Sequence, residues 1–257
     1  MAGSRTPRRG GGYQRQPYEQ TDPRPSSRRR KKRPGRLSRE GVLILLTLVL
    51  AVAVLITGGL LAVRWWREKN RPDLSLLQAP DWYTQDFLQR NPYSRPGLKR
   101  EAVNSIVVHY VANPGTSAAQ NREYFNNLAY QTGEDATSAS SHYIIGIDGE
   151  IIQCIPLDEV AYANYPRNED TVSIECCHPD PTGEFTPETK EALVKLVGWL
   201  CSELQLTERD VIRHYDVVGK NCPKYYVEHE DAWQELKAEM KAGVDAAKKQ
   251  SAKDMSD

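Results

Sequence analysis

The chain is poor in cysteine. Five in 257 residues, at no regular spacing, exclude a small scaffold knit by disulfides. No internal repeat is present, which speaks against a solenoid or propeller. Net charge is also missing, since 34 basic residues balance 34 acidic ones. That balance conceals a division. Residues 1–40 carry 13 Lys/Arg against three acids, 41–63 carry no charge, and 64–257 carry 21 Lys/Arg against 31 Asp/Glu. Such a division is not that of one uniform soluble globule.

The most conspicuous feature present is the uncharged run. Gly41 to Val63 holds only Gly, Val, Leu, Ile, Ala and Thr. At about 1.5 Å per residue, a helix of this length crosses the roughly 30 Å hydrocarbon core of a bilayer. A cleaved signal peptide is the rival, but its apolar region is shorter and ends in a small-x-small site. This run instead exits into Arg64-Trp65-Trp66-Arg67, an interfacial aromatic anchor. The unbroken basic run Arg28 to Arg33 outweighs the basic residues on the far side, so the N-terminus is expected in the cytoplasm and the chain beyond residue 64 outside it. Residues 1–40 read as a disordered tail whose charge serves topology and anionic lipid, not nucleic acid.

Residues 64–99, with Pro72, Pro80, Pro92 and Pro96, read as a stalk that packs partly on the domain downstream of it, with one short helix over Asp81–Gln89. From residue 100 the pattern is that of an α/β domain running to about 247, with a frayed tail over 248–257. Strands are expected over 105–110, 142–147, 150–155, 171–177 and 211–214, the second and third forming a hairpin around Asp148-Gly149. A helix capped by Ser117 runs to about Tyr130. Thr186-Pro187-Glu188 is an N-cap, a first-position proline and an acid, opening a helix to about Leu204. A last helix is expected from Tyr226 to about Ala247. The fold class is a mixed central β-sheet flanked by helices.

Three residues carry metal-ligand chemistry: His109 and His214 at strand ends, and Cys222 in the loop Asp216–Pro223. Two imidazoles and a thiolate suit zinc and leave a fourth position for water. Spacing alone leaves the alternative open, because a histidine on an apolar strand is often a satisfied core residue. The other four cysteines read as buried thiols, with a disulfide among them open.

The segments Ile106–Tyr110, Ser141–Ile145, Ser173–Cys176 and Arg213–Pro223 together resemble the zinc N-acetylmuramoyl-L-alanine amidases, whose fold is shared with peptidoglycan recognition proteins. The resemblance covers about residues 100–240. It implies one zinc ion held by His109, His214 and Cys222. It implies Glu175 as the acid–base residue and Lys220 as the cation that holds the developing oxyanion. It makes His142 a contact to substrate or to the ligands, with a core role as the alternative, and peptidoglycan the substrate. Two departures stand out. Ser141 replaces a tyrosine of some members, and Ala161-Tyr162-Ala163-Asn164 replaces a Trp-His-Ala-Gly segment. The expected function is a membrane-anchored hydrolase at the outer face of the cell membrane, cutting between N-acetylmuramic acid and L-alanine. A non-catalytic peptidoglycan receptor on the same fold is the alternative, though such binders commonly lack the thiolate that Cys222 supplies. A membrane tether with a purely structural zinc would need a fourth protein ligand, and none is evident in the sequence.

Overall fold

The computed structural model describes residues 38–100, 102–133 and 135–254. Nearly all of the basic tail expected over 1–40 lies outside the described residues. The chain divides into two compact units, residues 1–59 and 60–257. Helix α1 runs from Arg39 to Lys69 and is opened by the Ser38 hydroxyl, which accepts from the Gly41 N–H at 3.1 Å. It overruns the uncharged stretch by six residues at its C-terminal end, because Arg, Trp, Glu and Lys are all compatible with a helix and Pro72 is the first residue that cannot continue one. By length and composition α1 can cross a membrane, and none of its most apolar window is buried.

The second unit is built on a six-stranded mixed sheet. Its strands are β1 (Thr84–Gln85), β2 (Ser105–Tyr110), β3 (Tyr143–Ile145), β4 (Ile151–Gln153), β5 (Thr171–Cys176) and β6 (Val211–Arg213), in the order β1-β4-β3-β5-β2-β6. Only β3 and β4, the hairpin, pair antiparallel. The helices are α2 (Ala118–Asn127), α3 (Pro187–Glu203), α4 (His214–Val218), α5 (Lys224–Glu228) and α6 (Glu230–Asp254).

Alternation along the central strands divides the residues between two faces. Ile106 and Val108 of β2, with Val172, Ile174 and Cys176 of β5, enter the core under α3 and α6. These two helices approach closely at Gly198, where an added Cβ would lie 2.9 Å from the Gly243 carbonyl oxygen. Ser105, Val107 and His109, with Thr171, Ser173 and Glu175, alternate to the opposite side. A second cluster gathers Leu88, Phe125, Leu128, Ile144 and Cys177. The adjacent Cys176 and Cys177 thus enter different clusters, as alternation requires, and all five cysteines are buried thiols.

Two expectations are corrected. The short helix over 81–89 does not form: Thr84–Gln85 is the edge strand β1, parallel to β4. The segment around it packs on the domain through Leu74, Tyr83 and Leu88, which are buried. Their apolar side chains are scattered between prolines, so they show neither a helical nor a strand period. The last helix is broken at His229, and α6 starts at Glu230 and continues through the expected frayed tail to Asp254. Its buried Trp233, Leu236, Met240 and Val244 keep the 3–4 spacing that docks it on the core.

Candidate metal centre and active site

Three neighbouring parallel strands end at one place. In the β2–β5 register His109 stands directly beside Glu175, and on the other side of β2 the pairing brings Val108 beside Arg213. His214 comes next in the chain as the first residue of α4, rather than as the strand residue expected, and is buried. Asp216 caps this turn by accepting from the Arg213 N–H at 2.8 Å and pairing with its guanidinium. Gly219 closes α4 in the left-handed conformation (φ 72°), which an L side chain adopts only with strain. The chain then folds back, and the Tyr215 N–H donates to the Cys222 carbonyl at 2.9 Å. Open sheets commonly carry their sites at the C-terminal ends of parallel strands, and this one does so too.

His109, His214 and Cys222 are all buried, and their candidate ligand atoms lie within 4.8 Å of one another. The His109 Nδ1 is 3.7 Å from the Cys222 sulfur, and the two imidazole centroids are 4.6 Å apart. Tetrahedral zinc with bonds of about 2.0–2.3 Å holds its nitrogen and sulfur ligands roughly 3.3–3.7 Å apart. The donor set therefore fits that ion. The fit extends to protonation. Burial, with the nearby His214 and Lys220 charges, drives His109 down to about 3, so it is neutral, as a ligating imidazole must be. His214 is shifted the same way by burial and by Lys220. Its Nδ1 is buried with no hydrogen-bond partner, as a nitrogen reserved for a metal would be. Burial pushes the Cys222 thiol up to about 12, and a cation in the cluster would reverse this by favouring the thiolate.

Glu175 stands beside this cluster. Its Oε1 is 3.9 Å from the His109 Nδ1, and its Oε2 is buried with no partner. Burial raises its carboxyl to about 8, against the opposing pull of Lys220. Lys220 is exposed on the loop, yet its charge is felt at His109, His214, Glu175 and Cys222 alike. Five of the six site residues read from the sequence thus come together.

His142 does not join them, and its surroundings are those of the core alternative. It is fully buried; its Nδ1 bonds Ser173 Oγ at 3.0 Å and its Nε2 bonds the Glu159 carbonyl at 3.1 Å. Its ring is a core strut between β5 and the loop before residue 160. Sequence reasoning missed Asn164, whose Oδ1 lies 2.6 Å from the His109 Nε2. That position stands out in the sequence only as a departure from the family motif. Its partner lies 55 residues away, beyond any local signal.

Comparison with known proteins adds lineage to this geometry. Residues 99–225 match the family model described as N-acetylmuramoyl-L-alanine amidase. The N-acetylmuramoyl-L-alanine amidase CwlL of Bacillus licheniformis is 36% identical over 155 residues, 56% of this chain and 42% of that protein. The amidase BlyA of Bacillus subtilis is 32% identical over 181 residues, 62% of this chain and 47% of that protein. The chain therefore spans less than half the length of these curated relatives. Among solved structures, the catalytic domain of XlyA is 28% identical with a TM-score of 0.50, covering 62% of this chain and 98% of that one. The structure of PlyL, 22% identical with a TM-score of 0.52 over 63% and 98% of the two chains, shares the fold. Residues 99–225 thus match the N-acetylmuramoyl-L-alanine amidase family in sequence.

Proposed function

We propose that this protein is a membrane-anchored zinc hydrolase that cleaves peptidoglycan between the lactyl group of N-acetylmuramic acid and L-alanine. The observation that carries the reading is the buried Glu175 carboxyl, one oxygen of it without a partner, beside a cluster of two neutral imidazoles and one thiol. In it, His109, His214 and Cys222 would hold one zinc ion, which would supply a Lewis acid to polarise the scissile carbonyl and acidify the attacking water. Glu175 takes the proton of the attacking water and returns it to the departing L-alanine nitrogen. Its free oxygen can accept the water proton, the Lys220 charge favours the ionised form that this first step needs, and the pKa raised by burial favours the protonated form that the second step needs. Lys220, exposed at the rim, supplies a positive charge for the oxyanion that develops on the carbonyl.

The anchor in this reading is the uncharged stretch 41–63 within α1. The basic run before it keeps the N-terminus in the cytoplasm, and the hydrolase domain then faces the cell wall. The test is metal content together with activity. The purified chain should hold about one zinc, as a mononuclear three-ligand site does. Cys222→Ser should lose most of it together with hydrolysis of peptidoglycan. Full zinc content in that variant would remove Cys222 from the ligand set, and binding of peptidoglycan without hydrolysis would favour a receptor.

A further inference from the structure

Four hydrogen-bonding groups run along the polar side of the sheet, and only one arrangement of their protons satisfies them all. The Thr171 hydroxyl lies 2.6 Å from the Arg167 carbonyl, which can only accept, so the hydroxyl proton is committed there. The Thr171 oxygen is left as an acceptor. It takes its proton from Asn164, 2.8 Å away, so the nitrogen of that amide faces Thr171 and the oxygen faces away. The oxygen, Oδ1, then meets the His109 Nε2 at 2.6 Å, and Nε2 must carry the ring proton. That leaves Nδ1 as the lone pair, on the side where the Cys222 sulfur lies 3.7 Å away. Turning the amide over would set its NH2 against Nε2 and require Thr171 to donate to the amide oxygen. The Thr171 hydroxyl and Arg167 carbonyl oxygens would then stand 2.6 Å apart without a proton between them.

We propose that Thr171 and Asn164 are positioning residues that fix the tautomer of His109, so that Nδ1 is presented to the metal. The proposal rests on the zinc reading of the site and adds residues to it. The relay is built to hold still. Asn164 and Thr171 are both essentially inaccessible to solvent. The Asn164 N–H donates to Asn168 Oδ1 at 2.6 Å, and the Arg167 N–H donates to the Asn164 carbonyl at 2.6 Å, closing a turn around the amide. Arg167 is held in turn by Asp170 and by Ser105 Oγ, the first residue of β2. The proton position at the ligand is thereby set from the Arg167 carbonyl, through two side chains, at the opposite end of the strands from the metal site. A partner on the far nitrogen of a ligating imidazole fixes its orientation, and losing one commonly costs 10–100-fold in metal affinity.

The test compares Thr171→Val, Thr171→Ser, Asn164→Leu and Asn164→Asp in the full chain. Imidazole 15N chemical shifts of the zinc-free protein read the His109 tautomer directly, and competition with a chromophoric chelator reads zinc affinity. In the unmodified chain and in Thr171→Ser, which keeps the hydroxyl, His109 should be held as the Nε2–H form with the same affinity. Asn164→Asp keeps an accepting oxygen toward Nε2 and should hold that form also, but with no N–H for the Thr171 oxygen it turns the Thr171 hydroxyl from the Arg167 carbonyl to the carboxylate. Thr171→Val and Asn164→Leu should show mixed tautomers and bind zinc about 10–100-fold more weakly. A single Nε2–H tautomer and zinc affinity within threefold of the parent in both Thr171→Val and Asn164→Leu would overturn the proposal. Absence of zinc binding by the unmodified chain would instead overturn the zinc reading, and the tautomer measurement would still decide the relay.

Discussion

Glu175 should make the metal-free protein less stable, and the cost should depend on pH in a way that only this residue explains. Its carboxyl is raised by burial from 4.5 to about 8, Lys220 opposing. The folded chain therefore holds this proton more tightly than the unfolded chain, so stability falls as pH rises from about 4.5 and levels off above about 8. At about 1.4 kcal/mol per pKa unit, the cost is about 3 kcal/mol at pH 7 and about 4 kcal/mol at pH 8. Glu175→Gln removes the titration. Any hydrogen-bonding cost of its new NH2 group in the pocket, about 1–3 kcal/mol for a buried donor left unpaired, does not change with pH in the way the carboxyl does. The signature is thus a slope. Between pH 5 and pH 8 the variant should gain about 3–4 kcal/mol on the parent, or roughly 6–16 °C in Tm for a domain of this size. Thermal unfolding of the chelator-treated chains in detergent, followed by near-UV circular dichroism, measures it. Parallel pH dependences for the two chains would refute the reasoning. On the zinc-loaded proteins the same substitution should lower hydrolysis by about 10²–10⁴-fold, the usual worth of an acid–base residue. A group destabilising at rest and required in the reaction is the stability–activity trade expected of a site.

Lys220→Ala should keep its zinc and lose about 10²–10³-fold in turnover, as removal of one oxyanion partner does, measured against the zinc content of the same sample. Glu159 is 2% exposed and bonds Arg95 at 2.7 Å and Arg90 at 3.0 Å. Burial alone would raise its carboxyl, but the two guanidinium partners outweigh burial and hold it below the ordinary value. Glu159→Gln leaves the mostly buried Arg95 uncompensated and should cost about 3–5 kcal/mol in denaturant unfolding at pH 7. The part of that advantage that comes from the lowered carboxyl is present above pH 4.5 and should fade as pH falls through the lower folded pKa. Protease added to wall-stripped cells should remove the chain beyond about residue 70 and spare the basic tail, and the opposite pattern would reverse the topology.

The sequence is most readable where one local rule decides the outcome. β-Branched runs mark β2 and β5, Thr186-Pro187-Glu188 marks the start of α3, and Ser117 opens α2 by a capping box with Gln120. His109, His214 and Cys222 are legible together through the resemblance of their motifs to the amidases, and the strand registers explain why His109, Glu175 and the chain that leads into His214 reach one end of the sheet. The rest depends on partners distant in the chain. β1 is two residues long, and its pairing with β4 is invisible in its own sequence. The role of His142 is not legible because its partners, Ser173 and the Glu159 carbonyl, belong to other elements. Asn164 is silent for the same reason, since its value lies in one oxygen delivered to His109.

The most direct test of the central claim is the identity of the bond broken. The zinc-loaded chain, incubated with purified peptidoglycan, should release peptides with free L-alanine amino termini, leave the glycan strands intact, and stop when zinc is removed. Mass analysis of the soluble and residual material reads all three at once. Tight binding by zinc-loaded protein with no new L-alanine termini from any peptidoglycan type tried would contradict the account and leave a receptor in its place.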